Sequence, residues 1–311
     1  MSRAWTAVLS KTLSRDHSDM LQELFHDREV LSERSFTVLQ KIVLQLDSSN
    51  LRTELTRSTA TINAVDSDGN TALAWASQRN DPYAVEQLLR YGADPNIYNK
   101  FGRGPLHLAA EHQSVECMDL LVKHNAEINC ADQWGLTPLL DACWDYDLPS
   151  ALYPVMLPGT NVDVSAKSGR NALAYAATRD HLAIAKYLVA CGASMNLRDK
   201  HGYSAIFVAI IYKSHKVLAL LLENGAVYTQ NDNNGNSILH MAADFGTIET
   251  LGVLANFPLY EADPQARNSK DLTAMDIAQA RVDMLDGLFF LAFKDFIELA
   301  VECGRQSIYV D

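Results

Sequence analysis

GRGPLHLAAEH, Gly102–His112, is the stretch on which the reading of this chain turns. It sets His107, Glu111 and His112 close together, which raises a metal-dependent hydrolase helix as one reading. The zinc motifs read H-E-x-x-H or H-x-x-E-H, whereas this stretch reads H-x-x-x-E-H. At about 100° per residue, Glu111 returns to the face of His107, but His112 falls about 140° away from it. Two ligands so far apart around a helix cannot share one ion. No metal and no other cofactor is expected here.

The other reading comes from the rest of the chain. The same frame recurs as GNTALAWAS from Gly69, GLTPLLDAC from Gly135, GRNALAYAA from Gly169, GYSAIFVAI from Gly202 and GNSILHMAA from Gly235, with DLTAMDIAQ from Asp271 as a seventh copy. Successive copies start 33, 33, 34, 33, 33 and 36 residues apart. A fixed period of this size marks one supersecondary unit repeated.

Each column of the repeat has a physical meaning. Two residues after the glycine stand Thr71, Gly104, Thr137, Asn171, Ser204, Ser237 and Thr273, all suited to cap the free N–H groups of a helix's first turn. Pro105 and Pro138 follow at the first helical position, where a missing N–H costs nothing. Ala76, Ala109, Ala142, Ala176, Ala209, Ala242 and Ala278 form a column that admits only a methyl group, as where another backbone packs close. A second helix follows in most copies, for example YAVEQLLRYG and HKVLALLLENG. Gly92, Asn125, Gly192 and Gly225 supply the left-handed residue that ends it. An extended return with a turn at its tip then carries Asp66, Asn99, Asp132, Asp199 or Asp232 three residues before the glycine. No single unit of this kind buries its own core, so the units must stack.

The segments G-x-x-P-L-H-L-A-A at Gly102–Ala110, T-P-L-L-D-A at Thr137–Ala142 and G-A-D-P-N at Gly92–Asn96 resemble the ankyrin repeat family, over roughly residues 62–302. INAVDSDGNTALAWAS with its QKIVLQL preface looks like the ankyrin proteins common in filamentous fungi. The resemblance implies an all-α ankyrin-repeat solenoid: stacked helix-turn-helix units with hairpin-like loops, about seven repeats plus helical caps. It also implies that His107 and His240 are structural and tie neighbouring loops together.

The ends depart from the pattern. Residues 1–34 read as an N-terminal helical segment, notably HSDMLQELFHD, His17–Asp27. Residues 35–62 read as a degenerate capping repeat, in which Thr37 and Leu39 match Thr71 and Leu73. Residues 63–268 hold six repeats. Residues 269–311 hold the degenerate seventh and a long apolar helix within Leu285–Gly304 that closes the stack. In the third copy Pro149 and Pro154 predict a kinked or short second helix around Pro149–Leu157.

The chain has 311 residues, 48% of them hydrophobic, enough for one elongated domain or two compact ones. A formal net charge of −12 argues against a general nucleic-acid or anionic-membrane binder. Its cysteines, Cys117, Cys130, Cys143, Cys191 and Cys303, contain no CxxC pair and are odd in number, so reduced, largely buried thiols in an intracellular protein are expected. No signal peptide opens the chain, and the apolar runs IFVAIIY and LFFLAF are too short to span a bilayer. P-loop, G-x-G-x-x-G and G-x-S-x-G motifs are absent, so neither an enzyme nor a small-molecule substrate is expected.

A stack of such units leaves a concave side of hairpin tips and first-helix flanks. The expected partner-binding residues there are Phe101, Arg103, Glu111, His112, Trp134, Leu136, Trp144, Asp145, Arg170, Arg179, His201, Tyr203 and Tyr212. Aromatics and arginines at solvent-facing positions are the types that dominate binding hot spots. Arg79, Lys100, Arg103, Lys167, Arg170, Arg179 and Lys200 outnumber Asp68, Glu111, Asp145 and Asp244 at these positions. The expectation is therefore a non-catalytic scaffold that binds a protein segment of acidic character. A regulatory or adaptor subunit docking also through its terminal helices is the alternative, and nucleic-acid binding through basic tips a minor one. In a stack that binds nothing there, the same positions carry ordinary loop residues.

Overall fold

A computed structural model of the chain describes residues 35–57, 59–145, 157–257, 259, 261–282 and 287–307. The helix expected at His17–Asp27 and the break at Pro149 and Pro154 lie outside the described residues, as do the side chains of Trp144, Asp145 and Cys303. Every long regular element among the described residues is helical, with one isolated antiparallel bridge at Ser165–Asn171. The chain forms two compact units, Met1–Glu127 and Ile128–Asp311.

In the first unit the described helices are α1 (Val38–Val43), α2 (Leu51–Arg57), α3 (Ala72–Gln78), α4 (Pro82–Arg90), α5 (Pro105–Glu111) and α6 (Val115–Lys123). They stack as pairs, with α1, α3 and α5 in one layer and α2, α4 and α6 in the other. Helix α4 shows why these short segments hold. Asp81 accepts the Ala84 N–H at its start, Pro82 takes the first position, and Gly92 at φ +90° ends it. Leu88 and Leu89 are buried, which stabilises by about 1.5–3 kcal/mol each. Glu86 and Arg90 pair across one turn on the outer face.

In the second unit the first helices are α7 (Pro138–Asp145), α8 (Ala172–Thr178), α10 (Ala205–Ile211), α12 (Ile238–Phe245) and α14 (Ala274–Val282). The second helices are α9 (Leu182–Ala190), α11 (His215–Glu223) and α13 (Ile248–Ala255). Helix α15 (Gly287–Ser307) packs against α13 and α14 through Phe289, Phe293, Phe296 and Ile297. Arg281 locks this end. It donates to the carbonyls of Ala243 and Gly246 at the C-terminus of α12 and lies 4.2 Å from the centre of the Phe289 ring.

The alanine column is fully enclosed, from Ala76 to Ala278. The tip residues accept, through one side-chain oxygen, the N–H groups two and four positions on; Asp66, Asn99, Asp132, Asp199, Asp232 and Asn268 all do this. Successive tips are also linked backbone to backbone. Lys167, Lys200, Asn233 and Ser269 donate to the carbonyls of Trp134, Ser168, His201 and Asn234. Gly169 shows what this demands: its φ is +86°, and a Cβ there would stand 2.8 Å from the Asp199 Cα.

Two expectations need correction. Side-chain caps form at Thr71, Thr137, Asn171 and Thr273, but Ser204 makes no such bond, and at Ser237 the cap is completed by His240. The cysteines are not uniformly buried. Cys117 and Cys143 are, Cys130 is half-buried and Cys191 is exposed, because it lies at the C-terminal end of α9 beside the Gly192 turn. No described helix is long and apolar enough to cross a membrane.

Candidate functional site

The histidines of the opening stretch separate by environment. His107 is buried, and its Nδ1 accepts the Gly104 N–H, so it caps its own helix. Its counterpart His240 accepts from Ser237 in the same way, and its Nε2 bonds the Leu272 carbonyl of the next tip. Gln40 takes this place in the first described copy, donating to the carbonyls of Ala64 and Asn70. Glu111 instead pairs with Arg103 at 2.8 Å, and His112 is exposed.

In the second unit, tips and first-helix ends share one face, because Arg170 at a tip reaches the next copy. Its Nε stands 3.5 Å from Asp199 Oδ2, and its guanidinium lies 5.6 Å from the centre of the Tyr212 ring at the end of α10. Burial works against the charge of Arg170, but Tyr212 and Asp199 outweigh it and hold its pKa above the usual value. His201, Tyr203 and Phe207 form a run of ring contacts at 5.6 and 6.4 Å beside this pair. Burial raises the Tyr203 hydroxyl pKa, and Asp232, Asp199 and Asp244 add to it while Arg170 opposes.

Trp134 stands 46% exposed at its tip, with its N–H held by Asp132. Leu136, on the same turn, is half-buried, and Arg179 is exposed. Tyr212 is 44% exposed. Phe101 and Arg103 are half-buried in the first unit. The structure thus brings Arg170, His201, Tyr203 and Tyr212 together, and separately joins Arg103 to Glu111.

This changes the charge argument. Arg103 and Arg170 are engaged by Glu111 and Asp199, so they are not an open positive surface. The tip aspartates that hold the turns add negative charge at the same tips. In the second unit Asp132, Asp199 and Asp232 are buried there, joined by Asp141. These carboxylates offset positive side chains counted at these positions, while Lys167, Arg179 and Lys200 stay exposed.

Sequence reasoning missed Asp141 and Tyr175. Both sit four residues after the cap, where the copies otherwise carry Trp75, Leu108, Val208, Met241 and Ile277. The signal was available, since Asp141 is the one charged residue in an apolar column.

Comparison with known proteins agrees with this architecture. A family model described as ankyrin repeats (3 copies) matches residues 73–153 and 147–232. Cyclin-dependent kinase 4 inhibitor B of Mus musculus is 39% identical over 37% of this chain and 88% of its own length. Transient receptor potential cation channel subfamily A member 1 of Homo sapiens is 27% identical over 67% of this chain, but the match spans only 23% of that protein. The ankyrin repeat domain-containing protein SAT10 of Stachybotrys chartarum is 30% identical over 78% of this chain and 12% of its own length. The crystal structure of the human ASB11 ankyrin repeat domain superposes with a TM-score of 0.63 at 21% identity, covering 73% of this chain and 98% of that one.

Proposed function

Since the chain belongs to the ankyrin repeat family, whose repeats generally mediate protein–protein interaction, we propose that it is a non-catalytic binding protein holding a segment of another protein on the tip and first-helix face of its second unit. The observation that carries this reading is Trp134. Its backbone is fixed by Asp132 and by the link to Lys167, yet its indole is 46% exposed. A rigidly mounted tryptophan with this much exposed surface is the residue type that anchors binding hot spots, and Tyr212 and Tyr203 extend the aromatic surface along the same unit. The name of the mouse relative likewise describes a protein directed at another protein, a kinase.

The test is affinity capture with the parent chain and Trp134→Ala side by side, followed by titration of the recovered partner. Truncation of an exposed anchor is expected to weaken binding about 30-fold, equivalent to ~2 kcal/mol, with melting close to the parent. A large stability loss with intact binding would make the tryptophan part of the core and remove the reading.

A second reading, docking through the terminal helix, has one observation in its favour. Leu288, Leu291 and Leu299 of α15 are exposed while the opposite side packs on α13 and α14. Leu291→Asp would abolish capture under that reading and leave it unchanged under the first.

A further inference from the structure

Two adjacent tips of the second unit present cations that nothing in the unit answers. Lys167 and Lys200 are exposed, and neither ammonium has an ion-pair partner among the described residues. Their backbones are joined: the carbonyl of Ser168, next after Lys167, accepts the Lys200 N–H at 3.1 Å. The tips on either side are tied on in the same way, so the crest is fixed and only the lysine stems move. His201 is exposed beside Lys200.

Composition does not explain this. The chain is net −12, yet the two crest residues of each tip in the second unit, from Gln133 and Trp134 to Ser269 and Lys270, include no Asp or Glu. In the first unit Asp68 stands at such a position. The exposed carboxylates of the second unit lie elsewhere, among them Glu223 and Glu249 on the second helices, Asp163 and Asp263 in the loops leading up to the tips, and Asp295 and Glu298 on α15. At the last tip Asp271 follows Lys270 directly and pairs with Arg267 at 3.6 Å. Asp244, at the end of α12, is exposed within range of both Tyr203 and the Arg281 cation. Beneath the crest Arg170 balances Asp199, while Asp132 and Asp232 are buried and spend one oxygen each on the N–H groups of their own turns. The open positive charge therefore centres on Lys167 and Lys200.

We infer that this crest binds an acidic stretch of the partner segment, its carboxylates pairing with the Lys167 and Lys200 ammonium groups while neighbouring apolar side chains meet Tyr203 and Tyr212. This rests on the protein-binding reading and deepens it by naming the chemistry of the partner and where it is read. Exposed ion pairs add little affinity each, but they steer the encounter and fix the register. Two cations above buried carboxylates, in a chain of net negative charge, suit a short run of Asp or Glu and not a continuous polyanion.

The experiment uses a random peptide library displayed on phage, selected against the full chain at low ionic strength, with the recovered peptides synthesised. The expected peptides carry two or more acidic residues, and exchanging these for Asn and Gln weakens binding about tenfold. Lys167→Glu combined with Lys200→Glu is expected to weaken the acidic peptides as much, and to bind more tightly a peptide whose acids are replaced by lysine. The difference is expected to fade at about 1 M salt, where charges are screened within ~3 Å. Lys167→Gln and Lys200→Gln, each singly, are milder variants expected to weaken binding about two- to threefold. The lysine side chains hold no part of their tips, so melting close to the parent is expected throughout. Recovered peptides without acidic residues, or acidic peptides that bind the lysine variants as tightly as the parent, overturn the acidic site; if they still lose binding to Trp134→Ala, the protein-binding reading stands. A single-stranded oligonucleotide that binds more tightly than the peptides, and is lost with the double variant, assigns the crest to nucleic acid and overturns the site as well. No recovered peptide, or peptides indifferent to both Trp134→Ala and the lysine variants, overturn both readings.

Discussion

His240 works at both ends of its ring. One nitrogen accepts from the cap of its own helix, and the other bonds the next tip at Leu272. Removing it leaves the buried Ser237 N–H without a partner and takes one of two donors from the Leu272 carbonyl, so His240→Ala is expected to cost on the order of 1–3 kcal/mol. His112 is exposed, and His112→Ala is expected to change stability by no more than about 0.5 kcal/mol. Urea unfolding of the two variants checks the ranking; equal midpoints would contradict the structural role of His240. Trp134→Ala, in the same assay, should behave like His112→Ala and not like a core truncation, which costs ~3–5 kcal/mol.

At the scale of the element, each described first helix is six to nine residues long and cannot stand alone. Caps and close packing therefore decide its stability. Asn171 accepts the Ala174 N–H at 3.0 Å, whereas Ser204, at the same column one copy later, makes no side-chain cap bond. Asn171→Ala is expected to cost about 1 kcal/mol and Ser204→Ala only a few tenths, read by thermal melting. Residue type alone would have ranked them together. The alanine column gives the complementary prediction. Ala176 is fully enclosed between neighbouring helices, so Ala176→Leu should overpack the layer and cost ~1–3 kcal/mol. A melting temperature equal to the parent's would mean that the layer has room for three more carbon atoms, which the burial contradicts.

At the scale of the molecule, the core is one thin layer of small and branched side chains repeated along each unit, and its thiols report on it. Burial pushes the pKa of Cys143 up to about 12, and it does the same for Cys117, where the charges of Asp81 and Glu116 add to the effect. Both should resist alkylation at pH 8 until the chain unfolds, while the exposed Cys191 reacts directly. The pH dependence has a definite sign. The unfolded thiols ionise from about 9, before the folded ones, so these two groups contribute stability that is full below pH 9 and is lost as pH rises towards 12. Cys117→Ser with Cys143→Ser should flatten that slope in denaturant titrations run across the interval. A slope unchanged by the pair would place the alkaline loss elsewhere.

The sequence alone determined the period, the helix pairs, the turn-forming aspartates and asparagines, the enclosed alanines and the place of His240, because each is a local requirement repeated at the same phase. Even Asp271, which stands where the other copies have glycine, kept the left-handed turn at φ +60°. What the tertiary structure decided was which charges remain open. Arg170 is satisfied by Asp199 and Tyr212, Arg103 by Glu111, and Asp132 is left with one oxygen over. Those outcomes depend on where long side chains reach. Arg170 spans 29 residues of sequence to Asp199 and 42 to Tyr212, and a repeat places backbones in register without stating which rotamer each side chain takes. The period therefore fixed the scaffold, while the through-space pairing of side chains from successive copies settled the electrostatics of the surface it presents.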